Sequence, residues 1–509
     1  MEKIIVDGGR LKIEDVVNVA RFMYEVGISQ DALDKISQAR QVVDRYVEEE
    51  RVVYGLTTGF GKFCDVFISK EQSIQLQKNL IMSHSCGVGN PLDQEIVRAI
   101  MLLRVNALSV GHSGIRASTV QTLIDMINKN VVPVIPEKGS LGSSGDLAPL
   151  SHMVLTMMGM GEAFYENQRM DSEKAMKLAG IKPVELTSKE GLALINGTQV
   201  MTAIASLAVY DAENLSKSAD VVSSLTIQAL KGIVEAFDPK VHDIRNQQGQ
   251  IKCAANLRKL LQGSELTTNQ GEERVQDPYT LRCIPQIHGA SKDAVEYVRT
   301  IVEREINAVT DNPLIFAEED QVISGGNFHG QPIALAMDFL AIALSEFANV
   351  SERRIERLVN PQLSQLPAFL TKNGGLNSGF MITQYAAAAL VSENKVLAHP
   401  ASVDSIPSSA NQEDHVSMGT IAARKAREIL FNVTNVLAIE LMASLQALDI
   451  QEAADKLSPV TREVYDTCRE QIKAVDKDRV MYTDINSAYR ILKNGSIVDK
   501  SVKASGEIY

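Results

Sequence analysis

Apolar positions along the chain recur every three to four residues. Asp93 stands before EIVRAIMLLRVNALSVG, in which Ile96, Ile100, Leu103 and Ala107 fall on one stripe and Gly111 is placed as a stop. The spacing predicts a helix that begins beside Asp93. Longer stretches with few breakers follow at 196–235, 286–310, 332–359 and 415–451. The segment QPIALAMDFLAIALSEFANV (331–350) is apolar nearly all round, which predicts burial among other helices. No repeat of roughly 20–50 residues stands out, and no low-complexity linker divides the chain. Small and polar residues gather instead in six segments: YGLTTGFG (54–61), GSLGSSGDLAPL (139–150), LINGTQV (194–200), ERVQDPYTLR (273–282), GGNFHGQP (325–332) and HPASVDSIPSSANQEDH (399–415). In a helical protein such loops usually carry the function.

Composition sharpens this picture. The 509 residues include 32 glycines and 15 prolines, a scarcity of breakers that favours long helices over a many-turned β fold. At about 150 residues per domain the length alone suggests roughly three domains. If the six segments, spread from residue 54 to 415, form one site, the chain cannot be three independent domains. With 63 acidic against 51 basic residues the formal charge is −12, which disfavours nucleic acid or an anionic membrane as partner. The N-terminal segment lacks the pattern of a signal peptide, and no charge-free apolar run reaches 18 residues; Pro332 to Leu344 holds Asp338. Five scattered cysteines without a CxxC pair fit a reduced cytoplasm better than a disulfide or zinc framework. The eight histidines form no HExxH, so no metal site is expected.

The segment around Ser144 is the most unusual. Gly139, Gly142 and Gly145 recur every third residue before Asp146 and Pro149, too much glycine for a helix or strand. It lacks the GK[ST] ending of a phosphate loop and the GxSxG of a nucleophile elbow. A tight turn is the plain reading. A chemical one also exists: a glycine amide nitrogen, unhindered by a Cβ, attacks the carbonyl two residues back, and loss of two waters leaves an electrophilic methylidene-imidazolone. Asp146 is placed to act as acid or base in those dehydrations.

GSLGSSGDLAPLSHM resembles the prosthetic-group signature of the aromatic amino acid ammonia-lyases, and the resemblance runs from about Tyr54 to about Gln451. QDPYTLRCIPQIHG, GGNFHGQP and SENKVLAHPASVDSIPSSANQEDHVSMG look like the histidine-specific branch rather than its phenylalanine- or tyrosine-specific relatives. The resemblance implies an all-α fold, a long-helix bundle of the ammonia-lyase (fumarase/aspartase-like) type over 196–509 with a smaller mixed N-terminal region over 1–195. It implies a 4-methylidene-imidazol-5-one (MIO) group formed autocatalytically from Ser143, Ser144 and Gly145, without external cofactor. Most members carry alanine where this chain has Ser143, whose carbonyl would join the ring while its side chain stays a substituent. Tyr54 matches an acid/base tyrosine, and Tyr279 and Glu413 are further candidates for the base. His84 matches a position that selects the substrate side chain, Asn196 an asparagine near ring and substrate, and Phe328 the aromatic beside the ring. Gln276, Tyr279 and Arg282 match QDPYxLR, with Arg282 as partner of the substrate carboxylate.

The residue types suit that chemistry. A guanidinium fork pairs two carboxylate oxygens, as Arg282 would. Asp277-Pro278 reads as N-cap and N1 of a short helix displaying Tyr279 and Arg282. Glu413 is expected in or near a first helical turn, where the helix dipole favours its ionised form. Together with His84 it would offer an imidazole two polar contacts that a phenyl ring leaves unpaired, at a cost of ~1–3 kcal/mol each. The implied reaction is deamination of L-histidine to trans-urocanate and ammonia, in a cytoplasmic homotetramer whose sites draw loops from more than one subunit. The alternatives are the same elimination on tyrosine or phenylalanine, a 2,3-aminomutase, and a helical scaffold without activity. The SSxMPxKxNP loop of the fumarase group is absent. His329, beside Phe328, reads either way, and the other six histidines, His415 among them, read as structural.

Overall fold

The computed structural model describes residues 2–53, 58, 59, 68 and 70–509; Tyr54 and Cys64 lie outside them. The chain is mostly helical, and it gathers into two compact units, each assembled from three stretches. The first takes Met1–Tyr210, Arg299–Asp338 and Pro400–Arg424, the second Asp211–Val298, Phe339–His399 and Lys425–Tyr509. The long helices stand where the apolar period predicts them: Gln199–Ala229, Ile284–Glu305, Gln331–Val359 and Gly419–Ile450.

In the first unit, short strands supply the mixed character. Lys3–Val6 pairs in parallel with Glu25–Ile28, and Val132–Pro133, Glu162–Tyr165 and Gln168–Asp171 form a small antiparallel sheet. The helix Gln94–Ser109 starts after Asp93 as predicted, but every residue from Ile96 to Ser109 is buried, so the apolar stripe is only part of its contact surface. That burial takes in four polar side chains, each with a carbonyl to bond: Arg98 Nε donates to Ala20 O, Arg104 grips Asn196 O, Asn106 Nδ2 donates to Ile306 O, and Ser109 Oγ donates to Val105 O.

The second unit has helices joined by loops and, among its described residues, no named strand. Ile227, Phe237, Leu257, Leu281 and Ile284 form one of its apolar clusters. Two charged groups are sealed inside it. Arg354 pairs with Glu440, both 0% exposed. Asp220 accepts from His288 Nδ1 at 2.8 Å, Asn256 Nδ2 at 2.8 Å and Cys253 Sγ at 3.2 Å, with the Lys292 ammonium at 3.2 Å. Burial alone would raise the Asp220 pKa; Lys292 and the bond from His288 outweigh it and hold it at about 2. The fold thus brings together three potential metal donors, Asp220, Cys253 and His288, that their sequence spacing does not announce. The lysine and the amide already occupy that carboxylate.

Gln331–Val359 and Gly419–Ile450 are long and apolar enough to cross a membrane, yet 67% and 89% of their most apolar windows lie buried within the protein. Cys86, Cys253, Cys283 and Cys468 are free thiols.

Candidate active site

The glycine-rich segment forms a loop just before the helix Leu147–Met157, and two distant segments hold it. One is 196–201. Asn196 Nδ2 donates to Ser144 O at 2.8 Å, and Asp146 N donates to Gly197 O at 2.7 Å. Gly145 has φ +76°, and a Cβ there would collide with the Gly197 carbonyl, so only glycine fits this approach. The other segment is 413–420. Ser144 Oγ donates to Glu413 Oε1 at 3.1 Å, Ser417 Oγ donates to Gly142 O at 3.0 Å, and Met418 N donates to Leu141 O at 2.9 Å.

Asp146 ties these segments together from below. Its Oδ2 accepts from the N–H groups of Val200 and Met201 at 3.0 and 2.9 Å, in the first turn of the helix Gln199–Ala229. Those amides have no partner within a helix, so a carboxylate there satisfies them and meets the positive end of the dipole. Its Oδ1 accepts from Ser140 Oγ at 2.9 Å and from Thr420 Oγ1. Asp146 is fully buried; burial pushes its carboxyl up, against four hydrogen bonds that stabilise the charge. It does not line the cavity described next.

Above the loop opens a cavity of about 1180 Å³ in the first unit, lined by Ser143, Ser144, His84, Asn196, Phe328 and Glu413 among others. His84 closes the helix Lys70–His84, with Nδ1 3.0 Å from Ser83 Oγ. Burial draws its pKa below the ordinary 6.5, with the Glu413 carboxylate pulling the other way, so the imidazole is neutral at pH 7. Glu413 Oε2 accepts from Ser408 Oγ at 2.9 Å. Six residues read from five separate sequence segments therefore meet on one surface.

Several expectations change. Glu413 lies in the loop after Ser409–Asn411, six residues before the helix Gly419–Ile450, so no helix dipole acts on it; two hydroxyls serve it instead. Asp277 is not an N-cap: its Oδ2 accepts from Ile233 N at 2.6 Å and its Oδ1 from Arg274 Nε at 2.6 Å, leaving Pro278 to cap the single turn Tyr279–Arg282. That turn does bring the Arg282 guanidinium over the Tyr279 ring, 4.7 Å from its centroid. Gln276, Tyr279 and Arg282 belong to the second unit and do not line the cavity; Tyr279 is 69% exposed. His415, read as structural, lines it together with His329. Their rings stack at 5.4 Å with His415 Nδ1 3.3 Å from His329 Nε2, so one of these two nitrogens must donate. Both lie in segments already marked by their small and polar residues, and only the pairing was hidden.

Comparison with known proteins agrees with this geometry. The family model described as aromatic amino acid lyase matches residues 11–470. The chain is 66% identical over 504 residues to a histidine ammonia-lyase of Alkaliphilus oremlandii, covering 99% of each. Among solved structures, histidine ammonia-lyase from Trypanosoma cruzi superposes with a TM-score of 0.93 at 43% identity, covering 99% of this chain and 96% of that one. Tyrosine aminomutase from Streptomyces globisporus superposes with 0.96 at 38% identity, covering both chains fully. A glycine loop that tolerates no Cβ at Gly145, an asparagine on its carbonyl and a carboxylate on its serine thus accompany a match over most of the sequence, and the chain belongs to the aromatic amino acid lyase family.

Proposed function

We propose that this protein is a carbon–nitrogen lyase acting on L-histidine, releasing ammonia and trans-urocanate. The observation that carries the reading is the placement of Glu413 and His84 on the cavity that also exposes Ser144. A carboxylate acceptor beside a neutral imidazole suits a substrate ring bearing an N–H and a lone pair. A phenyl side chain would offer neither group a partner beyond the serine hydroxyls they already have.

The residues around Ser144 fit an MIO group built from Ser143, Ser144 and Gly145. Gly145 has no Cβ to obstruct its nitrogen, the Ser144 hydroxyl is hydrogen-bonded to a carboxylate, and the Ser144 carbonyl has a donor at 2.8 Å. Such a ring supplies an electrophilic methylidene carbon, which no ordinary side chain offers. The protein's own residues then divide the remaining work. Asn196 donates to the Ser144 carbonyl, Phe328 walls the cavity, and His84 and Glu413 orient the substrate imidazole. Tyr54, Tyr279 and Glu413 are the candidates for taking the β-proton as the C–N bond breaks.

Arg282 is the group suited to the substrate carboxylate, and within one chain it stays off the cavity. A homotetramer that shares loops between subunits would bring it there from a neighbour. Support for that assembly comes from large apolar side chains left in water on the second unit: Phe339 and Ile342 on one helix, Ile382 and Tyr385 on Met381–Leu397, and Phe431, each 44–62% exposed. The protein is read as cytoplasmic.

The test is the purified enzyme with L-histidine, L-tyrosine and L-phenylalanine. Urocanate absorbance with histidine alone, and an intact mass two waters below the encoded one, are expected. Coumarate or cinnamate without urocanate, or a β-amino acid product, would reassign the substrate or the reaction to the neighbouring lyases and aminomutases.

A further inference from the structure

The segment 193–201 supplies the loop's contacts at Ser144 and Asp146, so its own placement decides where they fall. That placement is set from a helix that sequence patterning reads only as packing. Arg104, on Gln94–Ser109, is 0% exposed. Its Nη1 donates to Asn196 O at 2.9 Å and to Gln199 Oε1 at 2.7 Å, and its Nη2 donates to Ala193 O. Ala193 and Asn196 are the C-terminal carbonyls of the helix Glu190–Ile195, which has no further turn to satisfy them, and a cation is favoured there. The fit is close. A Cβ on Gly197, whose φ is +151°, would stand 2.6 Å from Arg104 Nη1.

Among the described residues no carboxylate closes this guanidinium. Asp311 acts on it through space, yet its Oδ2 takes the ammonium of the equally buried Lys189 at 2.8 Å. Burial lowers the Arg104 pKa to about 10, so the group is still charged at neutral pH. A buried cation held by two carbonyls and an amide is costly, and lysine, a point charge, could not span acceptors spread around a plane.

We propose that Arg104 is a positioning residue of the active site, which fixes Asn196 so that its amide stays on the Ser144 carbonyl during both formation and use of the prosthetic group. The inference rests on reading Ser143-Ser144-Gly145 as the cyclising tripeptide. In that sequence the Gly145 nitrogen bonds to the Ser143 carbonyl carbon, whose oxygen leaves as the first water with the hydrogens of Gly145 N–H and Ser144 N–H, as a C=N bond forms to the Ser144 nitrogen. The Ser144 Cα proton and Oγ leave as the second water as the Cα–Cβ double bond forms. Removing that Cα proton places negative charge on the Ser144 carbonyl oxygen, where Asn196 Nδ2 already donates. A donor fixed before the charge develops stabilises it without reorganisation.

Three variants test this: Arg104→Lys, Asn196→Ala and the pair combined. Intact mass after a fixed time gives the matured fraction, and steady-state kinetics per matured molecule gives kcat and KM. Arg104→Lys is expected to slow maturation about tenfold and lower kcat about tenfold, with KM within roughly threefold, as for loss of one preset donor. In the Asn196→Ala background the same change should add little, since coupled residues are not additive. Unchanged maturation and kcat in Arg104→Lys, or a loss equally large without the Asn196 side chain, would overturn the inference. Should Arg104→Lys not fold, Gln199→Leu removes one acceptor of Nη1 and is expected to slow maturation two- to fivefold, roughly half such a bond; a wild-type rate would overturn it. Unmodified protein in the wild type overturns the prosthetic-group reading and this inference with it. A matured wild type beside an equally matured and active Arg104→Lys overturns only the role of Arg104.

Discussion

Glu413 in the first unit and Glu440 in the second are both carboxylates served by hydroxyls, and they are finished differently. Glu440 receives Thr226 Oγ1 at 2.7 Å, Ser351 Oγ at 2.6 Å and both Arg354 Nε and Nη2 at 2.6 and 2.8 Å, with no exposure. Glu413 receives two serine hydroxyls, from Ser144 and Ser408, and faces a cavity. Glu440 has a donor for each lone pair and nothing left to offer a ligand. Glu413 keeps acceptor capacity where a substrate can reach it. Charge and burial alone do not tell a working carboxylate from a structural one; the unspent hydrogen-bonding capacity does.

The contrast can be broken from either side. On the proposed reading, Ser144→Ala removes the source of the methylidene carbon, so activity should fall about a thousandfold or more. Its melting temperature should stay close to that of the wild type, which a urocanate assay beside thermal unfolding checks. In the second unit, Glu440→Gln leaves the Arg354 cation buried without its counter-ion and should cost about 3–5 kcal/mol in denaturant unfolding. Turnover per folded molecule should be preserved. Replacing both partners by apolar residues should recover most of that stability. Glu413→Gln should do the reverse of Glu440→Gln. It is expected to lower kcat/KM for histidine roughly ten- to hundredfold, the span of a hydrogen bond to a charged group, with little change in stability.

The smallest effect concerns pH. His84 and His152 in the first unit and His288 in the second all have pKa values drawn below 6.5 by burial. The folded state therefore binds fewer protons than the unfolded one just below that value. Stability from these groups is complete above pH 6.5 and is lost as pH falls from there through the folded pKa values. Melting temperatures between pH 7.5 and 5 should decline toward acid; a flat profile would mean that the three rings charge as easily folded as unfolded.

Much of this was legible in the sequence. The apolar period located the long helices to within a few residues. Glycine density singled out the loop, and the segments around Ser144, Asn196, Phe328 and Glu413 were all marked before the fold brought them together. What escaped depends on pairing across the chain. Nothing local distinguishes Arg104 from a helix-surface arginine, because its acceptors lie about 90 positions away. The stacking of His329 on His415 is a contact over 86 positions, and the Asp220 cluster likewise. Glu413 is expected in or near a first helical turn because the helical run follows His415, whereas left-handed Met418 delays the helix to Gly419.

The reach of the loop's supports also carries a timing. Ser144 is held by Asn196, 52 residues later, and by Glu413, 269 residues later. On a growing chain the tripeptide is therefore made long before its scaffold is complete. At roughly 5–20 residues per second, synthesis brings the last support only after some tens of seconds. The proposed ring closure belongs to the interval after translation has passed Thr420, the last residue that bonds the loop's Asp146. On the proposed reading the loss of two waters works as a clock that starts when this unit has folded, and a pulse-labelled chain would show its mass fall only after that lag.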